Sequence, residues 1–224
     1  YFSTLTISEN VCTGNGNYGV YIGPDGGGVH YHSSASILHN ELTNNGEVGL
    51  YWDDTFGNSH GLIQGNTVTG NGTYGIFLQA VEHGSSLDIL DNVLSDNEVN
   101  GVYIDGYEDG CEGLIQGNTI ERNGEDGFYM CGDVNDGSRL TVWDNSMVEN
   151  GGFGFRMDDA QCGGYLAVSD NEFVDNESGG IRLYQVGDGA EGLIDGNSIT
   201  GNGGYGIYIS SGCLLYTSDA ADEE

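Results

Sequence analysis

Two Asp-Asp pairs, Asp53-Asp54 and Asp158-Asp159, stand just past short apolar stretches, and the second pair adjoins Arg156, with Arg182 following 26 residues later. Paired carboxylates can split a glycosidic bond, one as general acid and the other as base or nucleophile, and their separation sets the stereochemical outcome. Asp105 holds the equivalent place in another segment. Asp53, Asp54, Asp105, Arg156, Asp158 and Arg182 are therefore the candidates for catalysis. The same acids, with Glu108, Asp109, Asp133, Asp136, Asp188 and Glu191 further out, could instead hold calcium, the one cofactor the sequence suggests, or simply keep acidic loops hydrated. An Arg beside an Asp also makes an ordinary ion pair that neutralises local charge.

A second candidate set is aromatic. Tyr21, Tyr51, Phe77, Tyr103, Tyr129 and Tyr208 fall in one column with Arg156 and Arg182, and Tyr18, Tyr74, Phe153 and Tyr205 precede it on the same side. Flat rings can receive the C–H face of a pyranose, which makes this column the candidate substrate-binding surface. Aromatic residues also favour strands and stack on each other across them, so the same column has a purely structural reading. His30, His32, His60 and His83 do not align with one another and read as surface histidines. Cys12 falls in a core column; Cys111, Cys131 and Cys162 lie in loops of consecutive repeats, where one disulfide between neighbours could form with one thiol left over. No Cys-x-x-Cys occurs, so no zinc site is assigned.

What must position these side chains is a repeat. The pattern Ile-x-x-Asn-x-apolar-x-x-Asn-x-x-x-Gly-apolar-x-apolar recurs eight times, with first Asn at Asn10, Asn40, Asn66, Asn92, Asn118, Asn145, Asn171 and Asn197. The second Asn lies five residues later and the Gly four beyond that, as in Asn71 and Gly75. The period is 26 residues, lengthened to 30 at the first repeat and 27 at the fifth. Four apolar columns run through every repeat, represented by Ile63, Val68, Ile76 and Leu78 in one of them. Alternation of period two in short stretches, with 41 Gly in 224 residues and no helical periodicity, predicts an all-β solenoid. About eight coils of three strands, stacked at about 4.8 Å, would give a rod on the order of 35 Å long. Asn at a corner can bond to the coils above and below while tolerating a left-handed backbone there. The strand carrying Gly-apolar-x-apolar presents the aromatic column, and the segments after it, such as 53–60, 105–112, 131–138, 158–164 and 184–191, read as variable acidic loops.

The arrangement, with motifs such as Gly61-Leu62-Ile63-Gln64-Gly65-Asn66 followed by Asn71-Gly72-Thr73-Tyr74-Gly75-Ile76, resembles the all-β, right-handed parallel β-helix of the pectin-lyase-like superfamily, in the group called carbohydrate-binding and sugar-hydrolase repeats. The resemblance covers residues 5 to about 210. It implies architecture more than chemistry, since unrelated activities share the scaffold. Of the motifs that the resemblance to polygalacturonases would bring, only Asp-Asp is present, and the Asp-Pro-His-Asp of alginate epimerases is absent. Pectate lyases use an Arg or Lys base beside calcium-binding carboxylates, and Arg156 and Arg182 with Asp158 and Asp159 are the residues here that could imitate them.

The formal charge of −31 rests on 35 acids against four Arg and no Lys. Such a surface repels nucleic acid and anionic membranes, and no apolar run is long enough for membrane insertion. It fits a protein working in concentrated salt or bathed in calcium. Residues 1–212 read as the β-helix, a fragment cut at both ends. The string from Cys213 to Glu224 breaks the repeat and resembles a translated sequencing adapter, a non-native tail. The expectation is a secreted or cell-surface protein that binds carbohydrate or serves a structural, adhesive role, with polysaccharide as its partner. The alternative is a polysaccharide hydrolase or lyase acting through the acids of the aromatic face.

Overall fold

The computed structural model describes residues 3–23, 29–187 and 189–210. The predicted tail, 213–224, lies outside them, as does Asp188. The described chain is a right-handed parallel β-helix of eight coils, each contributing one short strand to each of three parallel sheets. Sheet A runs from Thr4–Ser8 to Glu191–Asp195, and sheet B from Val11–Thr13 to Ser198–Thr200. Sheet C, built from the strands that follow the recurring Gly, runs from Val20–Ile22 to Tyr205–Ile209. Strands pair at offsets of 26 residues, as in Ser86 with His60, and the longer first repeat is absorbed as a 30-residue offset, Thr4 with Ser34.

The four apolar columns form the core. In the six interior coils every member, from Ile37 to Leu183, is at most 2 % exposed. The end coils differ from the expectation of burial throughout: Ile7, Cys12, Ile22, Ile194 and Ile199 are only partly buried, and Ile207 and Ile209 are nearly half exposed. An inward side chain is covered on two sides by the coils flanking it, and among the described residues an end coil has one flank only.

Polar ladders close the three corners. At each of the two Asn corners, an amide accepts from the backbone N–H and the Nδ2 of the preceding coil, as Asn66 Oδ1 does from Asn40 at 2.8 and 3.0 Å. Its own Nδ2 donates forward to Asn92 Oδ1 and back to the Ile37 carbonyl. A buried amide is costly only if unpaired, and these are fully used. The left-handed residue is not the ladder Asn but the one before it, such as Asp91 (φ 54°), Asp96 (φ 57°) and Arg122 (φ 51°). Keeping Asn in ordinary conformation lets its side chain turn inward while its predecessor makes the bend. The third corner has a ladder of hydroxyls, in which Ser59 N–H donates to Ser85 Oγ and Cys111 N–H to Ser138 Oγ. Cys111 thus replaces serine in a buried row, turned away from the exposed Cys131 and Cys162, and the four described cysteines are unpaired. The recurring Gly is required by close approach: a Cβ on Gly101 would lie 2.5 Å from Ile120 Cγ2 and 2.7 Å from the Gly127 carbonyl oxygen.

The segments after sheet C are not simply loops. Its central strands continue, as Ile76–Glu82, Val102–Tyr107, Phe128–Val134, Phe153–Ala160 and Gly179–Val186, and carry Val81, Tyr107, Val134 and Ala160 into the core. Past the column the next core residue comes three positions on, Val81 after Leu78, Tyr107 after Ile104 and Ala160 after Met157, so alternation resumes out of phase. One bulge, an extra residue between Met130 and Asp133, makes the step four in Phe128–Val134. That phase break hides the strand extension from a period-two reading. Asp105, Asp133, Asp158 and Asp159 consequently project from strands, at fixed register, rather than from flexible loops.

Candidate functional site

Sheet C presents the predicted column intact. Tyr21, Tyr51, Phe77, Tyr103, Tyr129, Arg156, Arg182 and Tyr208 are successive register partners across all eight coils. Its first half is a ring stack: Tyr21 on Tyr51 at 4.9 Å and 22°, Tyr51 on Phe77 at 5.0 Å and 5°, Phe77 on Tyr103 at 4.9 Å and 8°. Tyr18 braces Tyr21 and Tyr51 from the side, and Tyr74 braces Phe77 and Tyr103. Tyr51 and Phe77 have both ring faces covered by neighbours. They turn edges, not faces, toward solvent, so a pyranose cannot lie flat on either.

The stack breaks at Tyr129, which meets Tyr103 edge-on at 85°. The guanidinium of Arg156 lies 4.2 Å over the Tyr129 ring and donates to both Asp158 oxygens, from Nε at 3.1 Å and Nη2 at 3.3 Å. The Tyr129 hydroxyl donates to Asp158 Oδ2 at 2.7 Å. Beneath them Asp126, 4 % exposed, faces Arg156 Nη1 at 3.5 Å and accepts the Phe153 N–H at 2.6 Å. Burial pushes the Asp126 carboxyl up from its ordinary value, opposed by the Phe153 N–H and by Arg156. Burial also raises the phenols of Tyr129 and Tyr103, helped at Tyr129 by Asp158 and at Tyr103 by Cys131 and Asp105.

Next to this network is a groove of about 460 Å³, lined by Arg156, Asp158, Asp159 and Arg182, with Cys131, Asp133, Tyr184 and Gln185 around them. Asp133 and Asp159 are register partners, so two carboxylates stand in adjacent coils. Asp159 is pushed up by burial first and then by Asp133 and Asp158, while the Gln161 amide that donates to it acts the other way. Two buried polar atoms here have no hydrogen-bond partner among the described residues, Asp159 Oδ1 and Arg182 Nε. Arg182 makes no ion pair among the described residues and is surrounded by Phe153, Tyr184 and Tyr208 rings at 5.6 to 6.0 Å.

The structure thus brings together Arg156, Asp158 and Arg182, but not the other candidate catalytic residues. Asp105 sits two coils away, bonded to the Tyr103 hydroxyl at 3.1 Å. Asp53 and Asp54 sit four coils away, about 19 Å at the spacing of parallel strands. There both carboxyls are raised by burial and partly relieved by His30. Sequence reasoning missed Asp126 and Tyr184. Asp126 was detectable as the one acid in a column that is aromatic at Tyr18, Tyr74, Phe153 and Tyr205. Among the described residues no group of three or more His, Cys, Asp or Glu is arranged to hold a metal ion. No described helix is long and apolar enough to cross a membrane.

With coils, ladders and groove in view, the class is plain: residues 1–133 and 107–219 match the family described as "Right handed beta helix region", and the chain belongs to it. Among solved structures it is similar to the periplasmic alginate epimerase AlgG, at 14% identity and a TM-score of 0.46, and equally to an aspartate-to-alanine mutant of that enzyme. Each match covers 80% of this chain and 50% of the other, so the chain spans about half the length of the epimerase. No curated protein is significantly similar to it.

Proposed function

We propose that the second half of the sheet C face binds polysaccharide outside the cytoplasm, with the groove between Arg156 and Arg182 as its centre. The observation that carries this is the pair of unpartnered buried atoms on the groove wall, a donor at Arg182 Nε and an acceptor at Asp159 Oδ1. A buried polar group left unpaired costs about 1 to 3 kcal/mol, and a sugar hydroxyl, which both donates and accepts, satisfies either one. A row of coils stacked at one spacing also offers an extended face suited to a linear polymer. The test is binding of neutral and uronic-acid oligosaccharides to the parent and to Arg182→Ala. Binding weakened about tenfold by the substitution supports the reading. Equal affinity in the two proteins sinks it.

A second, enzymatic reading rests on a different observation. Asp159 has a carboxyl raised by burial and by neighbouring acids, while Asp158 next to it accepts hydrogen bonds from two Arg156 N–H groups and the Tyr129 hydroxyl. Two carboxyls with environments this different suit an acid and a base, and so glycosidic hydrolysis with Asp159 as proton donor. Asp159→Asn should then abolish release of reducing ends while binding persists. A parent that binds but releases none would leave binding as the whole function.

A further inference from the structure

The four arginines divide into two pairs. Arg122 is tied to Asp96 and Glu121, and Arg156 to Asp126 and Asp158. Arg139 and Arg182 make no ion pair among the described residues, and each lies over a tyrosine ring and lines a groove. The groove of Arg182 has been discussed above. That of Arg139 is on another sheet.

We propose that the outer face of sheet A carries a second saccharide-binding groove, specific for neutral sugars, between His60 and Thr141. It has a volume of about 510 Å³ and is walled by His60, Ser86, Asp88, Glu112, Arg139 and Thr141. The guanidinium of Arg139 lies 4.2 Å from the Tyr165 ring centre in the next coil. Glu112 is its register partner in the preceding coil, and no ion pair joins the two among the described residues. Asp88 sits in register between Leu62 and Leu114, half buried by them, and its Oδ1 accepts the Leu114 N–H at 3.1 Å. His60 Nδ1 and Ser86 Oγ are 2.7 Å apart and fix each other's orientation.

The groove therefore has apolar leucine surface at its floor, carboxylates that accept hydroxyl protons, and a guanidinium that donates to sugar oxygens. Two carboxylates against one arginine leave it net negative, which disfavours an anionic sugar. A neutral hydroxylated ring can use every one of these groups without carrying a charge into the site. Its recognition would not involve sheet C, so one rod would hold sugar chains on two faces, and linked sites of this kind raise avidity without any new contact.

Isothermal titration with neutral hexasaccharides, namely β-1,4-glucan, α-1,4-glucan and β-1,4-mannan hexamers, tests this, with a galacturonate hexamer as the anionic comparison. In an Arg182→Ala background, a neutral hexamer should still bind. Adding Arg139→Ala or Asp88→Asn should weaken that binding about tenfold each, with a cooperative thermal unfolding transition retained. Asp88→Asn keeps an acceptor for the Leu114 N–H, so it probes charge without removing that contact. The proposal is overturned if no neutral hexamer binds, if only the galacturonate hexamer binds, or if neither substitution changes the affinity. Loss of all binding by Arg182→Ala alone also overturns it while supporting the sheet C site. The reverse result, binding sensitive to Arg139 and indifferent to Arg182, removes the sheet C site and leaves this one.

Discussion

The two halves of the sheet C face share a backbone, a register and a solvent exposure, yet they are finished in opposite ways. From Tyr21 to Tyr103 the outward groups satisfy each other, ring against ring at about 5 Å. From Tyr129 to Arg182 they satisfy each other incompletely, ending in a donor and an acceptor that no described residue meets. A stack whose faces are covered adds to stability and offers little to a ligand. A charged network with unfilled valences does the reverse. The difference teaches that an aromatic column on a β-helix is not by itself a sugar platform, and that the interruption of such a column is the more informative feature.

This contrast can be broken most sharply at Phe77, clamped between two parallel rings. Phe77→Ala should lower unfolding free energy by about 3 kcal/mol, as truncation of a packed aromatic does, and leave oligosaccharide affinity unchanged. Denaturant titration and calorimetry decide both halves of that statement, and a loss of affinity would return the ring to the binding surface. The mirror experiment is Arg182→Ala, expected to cost about 1.4 kcal/mol of binding and less than about 0.5 kcal/mol of stability. A large stability loss there would make Arg182 a packing residue.

Smaller effects discriminate the forces. A double-mutant cycle on Tyr51 and Phe77 should give a coupling of about 1 kcal/mol that survives molar salt, since ring stacking is not screened. The corresponding cycle on Tyr129 and Arg156 should give about 0.5 to 1 kcal/mol and shrink in salt. Equal salt response in both would erase the distinction.

The smallest effect is in pH. Asp53 and Asp54 in the first half, Asp126 and Asp159 in the second, and Asp88 and Glu108 elsewhere are raised chiefly by burial, whereas Asp96 is drawn down by Arg122. A raised acid holds its proton more tightly folded than unfolded. Its contribution is complete below the unfolded pKa and is lost as pH rises through the folded one. Melting temperature should therefore climb as pH falls from neutral toward the ordinary carboxylate range, roughly 4 to 5. If Asp126→Asn flattens that climb and Asp53→Asn does not, the response belongs to the groove. A climb that neither substitution alters would assign it to acids outside both halves.

The architecture was legible because its causes repeat. Asn66, Asn71 and Gly75 each answer a constraint that recurs at every coil, so the period exposes them. The serine row through Ser59, Ser85 and Ser138 repeats too, and was missed because Cys111 interrupts it. The groove was only partly legible, for it is made of departures from the repeat: Asp126 in an aromatic column, Arg156 and Arg182 where rings stood before, and a strand extension, out of phase with the column, that carries Asp158 and Asp159. Nor could spacing tell that Tyr51 and Phe77 close on each other, since that depends on ring rotation. Core pairing shows the same limit. Tyr107 fits only because Gly113 stands where a Cβ would lie 2.6 Å from its ring, a compensation between residues that carry no shared motif.

The asparagine ladders carry one more consequence. Every amide in them points the same way: the Nδ2 of one coil reaches the Oδ1 of the next, from Asn10 to Asn40 and on to Asn171 and Asn197. Parallel strands give the backbone the same sense. The rod is therefore a vector, with acceptors facing one end and donors the other. A joint that continued the ladders between two such rods could only be head to tail, because a two-fold joint would set oxygen against oxygen or N–H against N–H. Contacts of that kind do not close on themselves, and they extend as filaments whose growth has a direction.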